Sequence, residues 1–325
     1  MTNPTQRAES LVASGRVAEA TALLDQAAAA GDAEALFTSA VWLLSGQHVA
    51  RDLPRSRLQF GRAARLGHAG AARIHIAFIA SGTGGPADWR KACSLLDDLA
   101  QSDPASRRQL ATIQQMALSQ DGSPVDLPKP TTLSARPHVA VIPGLFSAAE
   151  CAYLIEAAEP LLEPSVVIDP RSGAFIRDPI RNSSAAAFPL ALENPAIHAL
   201  NRRIAAATGT EVGQGEPLQI LSYAPGQEYK LHVDALPPSI HNQRVLTALV
   251  YLNEDFEGGD TEFPALGLSV RGKTGDALIF GNVTADGCAD QQTRHAGKPV
   301  HAGNKFIASR WIRAKPLDLS GPRHG

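Results

Sequence analysis

The spacing of apolar and polar positions divides the chain into two regions with different periods. From residue 8 to residue 117 apolar positions recur at helical spacing, and small residues fall at repeated places among leucine and arginine. Ala27-Ala28 with Gly31-Asp32 returns as Ala63-Ala64 with Gly67-His68. Ala33 and Ala35 return as Ala69 and Ala71, Ser45-Gly46 as Ser81-Gly82, and Asp52 as Asp88, a repeat of about 36 residues. The second copy ends irregularly near Asp103-Pro104. A helix pair that cannot bury its apolar face alone buries it by stacking on the next, so an array of antiparallel helices is expected here. Residues 121–136, with prolines at 124, 128 and 130, read as a linker. Beyond them LQILSY, VLTALVYLN, DALIFGN and KFIASRWIR are β-branched or aromatic runs bounded by turn residues. Ala148–Leu162, with a Ser147/Glu150 capping box, and Pro195–Ala207 read as the helices of this half. The fold class expected is α+β multidomain: a helical repeat domain over 1–120, a linker, and a closed double sheet over 137–325.

Composition limits the function more than it directs it. With 325 residues, 44% hydrophobic and 19% charged, the chain can hold two ordinary globular domains. A net charge of −2 gives no reason to expect a polyanionic partner, and no basic groove interleaved with aromatics is present, so nucleic acid is not an expected ligand. Met1–Ser10 lacks the apolar core of a signal peptide, and no run approaches the ~18 apolar residues of a membrane span. Cys93, Cys151 and Cys288 are scattered, which suits a reducing compartment; the expectation is a cytoplasmic protein without a membrane partner. The arginines at 51, 55, 57, 62, 65 and 73 read as a solvated helix face, with a grip on an acidic partner as the sharper reading.

The candidate chemistry lies in the second half. His232-Val233-Asp234 ends an extended run, and residues i and i+2 of a strand project from one face toward a common ion. Alone, His-x-Asp is most often a surface pair. A histidine about 60 residues downstream would complete two imidazoles and one carboxylate, the facial set of non-haem iron(II) oxygenases. His295 and His301 are both candidates by position, whereas His241 falls in a loop too near in sequence.

From about Pro137 to Arg313 the chain resembles the prolyl 4-hydroxylase branch of the 2-oxoglutarate-dependent oxygenases. The stretches that carry the resemblance are HVAVIPGLFSAAEC, QILSYAPGQEYKLHVD, RVLTALVYLNEDFEGGDTEFP, GDALIF and HAGKPVHAGNKFIASRWIR. The first half is similar to Sel1-like repeats, a relative of the tetratricopeptide type, through AEALF, SGQHVARD and AARLGH with their second copies. The first resemblance implies a double-stranded β-helix (jelly-roll, cupin-like) fold and an iron(II) site of His232, Asp234 and His295, with His301 outside it. It also implies that Lys305 binds the far carboxylate of 2-oxoglutarate. Tyr223, Thr261 and Trp311 carry over as further cosubstrate contacts, and Arg181 as a substrate contact.

The residues support part of this on their own. 2-Oxoglutarate is a dianion and needs a fixed cation. Lys305, Ile307, Ser309 and Trp311 share one strand face, and Lys305 is the cation on it. The resemblance implies dioxygen as second cosubstrate, ascorbate as reductant, and hydroxylation of an unactivated C–H bond coupled to decarboxylation to succinate. Asp234, present where related halogenases have a small residue, favours hydroxylation. Arg181-Asn182-Ser183-Ser184 stands where the family often has Arg-Thr-Ser, and residues 170–179 are expected to form a loop over the site. Three readings remain: a hydroxylase of a prolyl residue in a peptide or protein docked by the repeats, a hydroxylase of a free amino acid or small metabolite, and a metal-binding scaffold or sensor without turnover.

Overall fold

The structure, a computed structural model, describes residues 3–168, 175–177 and 180–319. In the first part lie the helices Pro4–Ala13, Val17–Ala29, Ala33–Ser45, Leu53–Arg65, Ala69–Ser81, Trp89–Ala100 and Pro104–Gln114. The letters that recur in sequence are the helix boundaries. Asp32 accepts from the Glu34 and Ala35 N–H groups, and His68 Nδ1 accepts from Ala71 N–H, each capping the same helix of its pair. Those helices end at Gly46 and Gly82, with φ of 69° and 79°, a left-handed turn in which a Cβ is costly. Asp52 and Asp88 cap the helices that follow, accepting from Arg55 and Lys91. The irregular Asp103-Pro104 is a start and not an end: Asp103 caps the Pro104–Gln114 helix, with proline in its first turn.

Between the caps the small residues let the helices approach. Ala40, Ala63 and Ala71 pack with Leu36, Phe60 and Phe78, while Ala8, Ala20 and Ala35 pack with Leu24 and Trp42. Each large apolar side chain buried this way contributes about 1.5–3 kcal/mol. The arginine run is largely structural. Arg51 donates to the Leu44 carbonyl, Arg57 to those of Thr83 and Pro86, and Arg62 to that of Ala28. Arg73 pairs with Asp103 at 2.8 Å, and Arg55 and Arg65 are exposed.

The helical unit reaches Ser123 and takes in Leu190–Ala199, where Leu190 packs on the Phe60–Phe78 cluster. A second unit spans Pro124–Pro189 and Leu200–Leu317. Within the stretch read as linker, Thr131–Ser134 forms an edge strand of the larger sheet. Its β-branched residues suit a ladder, and the prolines lie ahead of it, where a missing N–H breaks no pairing.

The second unit is built on two antiparallel sheets. The larger runs Thr131–Ser134, Val139–Ile142, Ala277–Gly281, Arg244–Tyr251, Lys305–Arg313, Leu218–Tyr223, Ser184–Phe188 and Glu163–Pro164. The smaller runs Leu268–Val270, Thr261–Phe263, His295–Gly297 and Tyr229–His232. Val139, Tyr251, Leu278, Phe280 and Ile307 of the larger meet Phe263 and Val270 of the smaller in one core, as a jelly roll requires. Helix Ala148–Ala158 carries the expected capping box, and its Glu150 pairs with buried Arg203 at 2.7 Å. The expected loop over 170–179 lies outside the described residues except Phe175–Arg177, which pairs with Val166–Ile168.

Candidate active site

His232 ends one strand of the smaller sheet, His295 opens its neighbour, and the two are paired across the ladder. Asp234 lies two residues beyond the strand end. Its Oδ1 is 3.4 Å from His232 Nε2 and its Oδ2 3.8 Å from His295 Nε2. Ligand atoms of all three lie within 4.8 Å of one another, and all three side chains are buried. Each imidazole is set by its Nδ1, which faces the Lys230 carbonyl at 2.8 Å in His232 and the Thr293 carbonyl at 3.0 Å in His295. A proton on Nδ1 leaves the Nε2 lone pair free. His232 Nε2 is buried without a hydrogen bond.

Charge follows the same plan. Burial pushes the His295 imidazole down to about 4 against the pull of Asp234, so it stays neutral near pH 7. Burial opposes ionisation of Asp234, yet the His295 and His232 rings, when protonated in acid, and the Thr247 hydroxyl hold its carboxyl well below the usual range. Two imidazoles with free lone pairs and one carboxylate, converging with open space beside them, form a donor set that fits a divalent metal such as ferrous iron.

Nothing in the linear spacing marks Tyr229, yet its ring stacks on His232 with centroids 3.5 Å apart. Strand alternation puts i and i+3 on opposite faces. Here His295 pairs with His232 and Gly297 with Tyr229, so three steps on one strand match two on the other, and the bulge turns Tyr229 to the site.

One pocket is lined by the three clustered residues and by Lys305, Ile307, Ser309 and Trp311, the alternate residues of one strand. Tyr223, Thr261 and Leu249 line it too. Lys305 is buried; its Nζ donates to the Gly259 carbonyl and lies 5.6 Å from the rings of Tyr223 and Tyr251. Burial pushes its ammonium down to about 7, with Asp260 opposing the shift and Arg271 adding to it. Gly258 and Gly259, both at φ 71°, make the turn beside it, and a Cβ on Gly259 would meet Lys305 Cδ at 3.0 Å. The Thr261 hydroxyl is 3.0 Å from Tyr251 Oη. Trp311 is buried, its indole N–H has no hydrogen bond, and the Arg244 guanidinium lies 3.9 Å above its ring.

The other candidate histidines and two further arginines fall elsewhere. His301 and His241 are exposed and outside the cluster. Arg310 points away from the pocket and donates to the carbonyls of Glu216, Asn201 and Val212, while Arg294 is exposed. Arg181 lies over the Tyr229 ring at 5.4 Å and bridges its backbone. Asn182 accepts from the Glu228 N–H at 2.7 Å, so its side chain serves the local backbone. No helix of the described residues is long and apolar enough to cross a membrane.

Residues 218–313 match the model of the 2OG-Fe(II) oxygenase superfamily. Over 206 residues the chain is 35% identical to prolyl 4-hydroxylase 1 of Arabidopsis thaliana, covering 58% of this chain and 72% of that one. A viral collagen prolyl hydroxylase of Paramecium Bursaria Chlorella virus-1, solved with 2OG, is 30% identical over 55% of this chain and 96% of its own, with a TM-score of 0.45. A Sel1 repeat protein from Oxalobacter formigenes overlaps 30% of this chain and 29% of its own at 28% identity, with a TM-score of 0.28. The match from strand Leu218–Tyr223 to strand Lys305–Arg313 spans every residue of the buried cluster and Lys305, and the chain belongs to the 2OG-Fe(II) oxygenase superfamily, among the prolyl 4-hydroxylases.

Proposed function

We propose that the protein hydroxylates a prolyl residue in a peptide or protein, with His232, Asp234 and His295 as ligands of ferrous iron. The observation that carries this reading is the buried two-histidine, one-carboxylate cluster sharing a pocket with a buried lysine. Iron with 2-oxoglutarate and dioxygen supplies the oxidation: one oxygen atom enters succinate as carbon dioxide leaves, and the other enters the C–H bond.

The chain's own residues do the rest. Lys305, as an ammonium, meets the distal carboxylate of 2-oxoglutarate at the far end of the pocket, and the Tyr223 ring and the Thr261 hydroxyl frame that end. Trp311 and Leu249 supply apolar wall to the same pocket. The Trp311 indole N–H is free to donate to the cosubstrate or the substrate. Arg181, held over Tyr229, orients the polypeptide at the mouth. Ascorbate is the reductant in this reading, the helical repeats dock the polypeptide, and three free cysteines support a reducing, cytoplasmic setting. Purified protein with ferrous iron, 2-oxoglutarate, ascorbate and a cell lysate should release succinate and leave a one-oxygen mass gain on prolyl residues. A mass gain on free amino acids alone would replace the polypeptide reading, and no succinate under any substrate would remove the enzymatic one.

A further inference from the structure

Asp234 sits where no β ladder holds it, since the strand ends at His232. A hydroxyl holds it instead. Thr247 Oγ1 donates to Asp234 Oδ2 at 2.7 Å, and Asn282 Nδ2 donates to Thr247 Oγ1 at 2.9 Å. Both partners are almost fully buried, Thr247 at 0% and Asn282 at 2% exposure. Thr247 belongs to strand Arg244–Tyr251, paired on both sides within the larger sheet. Asn282 directly follows strand Ala277–Gly281, with its N–H on the Val245 carbonyl and its own carbonyl taking the Asp290 N–H, each at 2.9 Å. The two histidines are thus set by the smaller sheet and the carboxylate by the larger.

The direction of the relay follows from the donor inventory. A threonine hydroxyl has one hydrogen, and two acceptors compete for it: Asp234 Oδ2 at 2.7 Å and Asn282 Oδ1 at 3.3 Å. The ionised carboxylate makes the shorter and stronger bond. The Asn282 amide then gives its own hydrogen to Oγ1, and each bond polarises the next.

We propose that Thr247 and Asn282 are positioning residues for the metal. They hold the Asp234 carboxylate in one orientation, occupy Oδ2 and leave Oδ1 to ligate alone, so that a second oxygen does not take a position needed by cosubstrate. The inference rests on the reading of His232, Asp234 and His295 as ligands. A merely structural role predicts loss of stability without a specific loss of metal affinity.

The test is calorimetric titration of the full-length, metal-free protein with cobalt(II), alongside thermal unfolding. Thr247→Val keeps the branched shape and removes the hydroxyl; cobalt binding should weaken about 10–100-fold. Thr247→Ser restores the hydroxyl and should bind within about threefold of the parent, since the orienting bond is regained. Asn282→Ala should weaken binding in the same direction and less, and the double variant should be no weaker than Thr247→Val, because the bonds act in series. Parental affinity in both Thr247→Val and Asn282→Ala overturns the relay, as does a Thr247→Ser protein no tighter than the valine variant. If the valine variant fails to fold, Asn282→Ala decides: parental affinity there overturns the relay. A parent whose cobalt affinity ignores His295→Ala overturns the site itself, a different failure.

Discussion

Lys305 carries the most conditional part of the chemistry, because a buried ammonium at about 7 is half lost where most proteins work. Below that pH the empty site already holds the cation, and the dianion binds without taking up a proton. Above it each binding event must take one up, so 2-oxoglutarate affinity should fall toward tenfold per pH unit from about pH 7 to the bound lysine's higher value. Asp260 and Arg271 are the charges that face Lys305, and His295, at about 4, does not titrate in that window. Titrations of metal-loaded protein with 2-oxoglutarate across about pH 6 to pH 9 measure the slope; a flat profile would assign the carboxylate to another cation. Lys305→Ala leaves the carboxylate unpaired in a buried site, a cost of ~3–5 kcal/mol, or at least two orders of magnitude in affinity, with metal binding retained. Lys305→Arg should recover only part of this, since a planar fork sits at a different depth. The face of the lysine was legible, because strand alternation puts it with Ile307, Ser309 and Trp311, all of which line one pocket, while its role toward 2-oxoglutarate came from the family resemblance. Thr247 and Asn282 were not, because no linear period records which hydroxyl meets a carboxylate across two sheets. Tyr229 was hidden by a bulge, which reverses the face that alternation assigns.

Helices and strands were legible to different depths for a physical reason. Leu218–Tyr223 and Lys305–Arg313 coincide with their β-branched and aromatic runs, since such residues suit a pleated, buried strand and the turn residues around them mark its ends. The helical repeat was visible as letters, and the structure explains the letters as caps, a chemistry tied to position and so preserved between copies. Thr131–Ser134 escaped because three prolines just ahead of it read as a linker, whereas an edge strand tolerates that neighbourhood. The capping roles make a direct prediction. Asp52→Ala and Asp88→Ala each remove the acceptor for a first-turn N–H and should lower stability by about 1 kcal/mol. Denaturant unfolding followed by far-ultraviolet circular dichroism reads this; a change within error in both variants would mean that packing alone sets those helix starts.

At the level of the whole chain, the proposed function puts the oxidative chemistry in one unit and substrate docking in the other. Every residue given to metal or 2-oxoglutarate lies after Leu221, and the described residues of the helical unit hold no comparable cluster. Stacked helix pairs suit an extended polypeptide. Leu58, 60% exposed, shares helix Leu53–Arg65 with the exposed Arg55 and Arg65, and Leu66, 52% exposed, directly follows it. Leu58→Glu with Arg65→Glu should keep 2-oxoglutarate turnover and the KM for a short peptide, and raise the KM for the intact polypeptide by about tenfold or more. An unchanged KM for the polypeptide would remove that helix face from docking. The proposal as a whole stands or falls on where the metal binds. Crystals grown with iron(II) and 2-oxoglutarate without oxygen, imaged at the iron absorption edge, should show one anomalous peak ~2.0–2.2 Å from His232 Nε2, His295 Nε2 and an Asp234 oxygen, with the distal carboxylate on Lys305. A peak on His301, or a carboxylate held by any other cation, would contradict it.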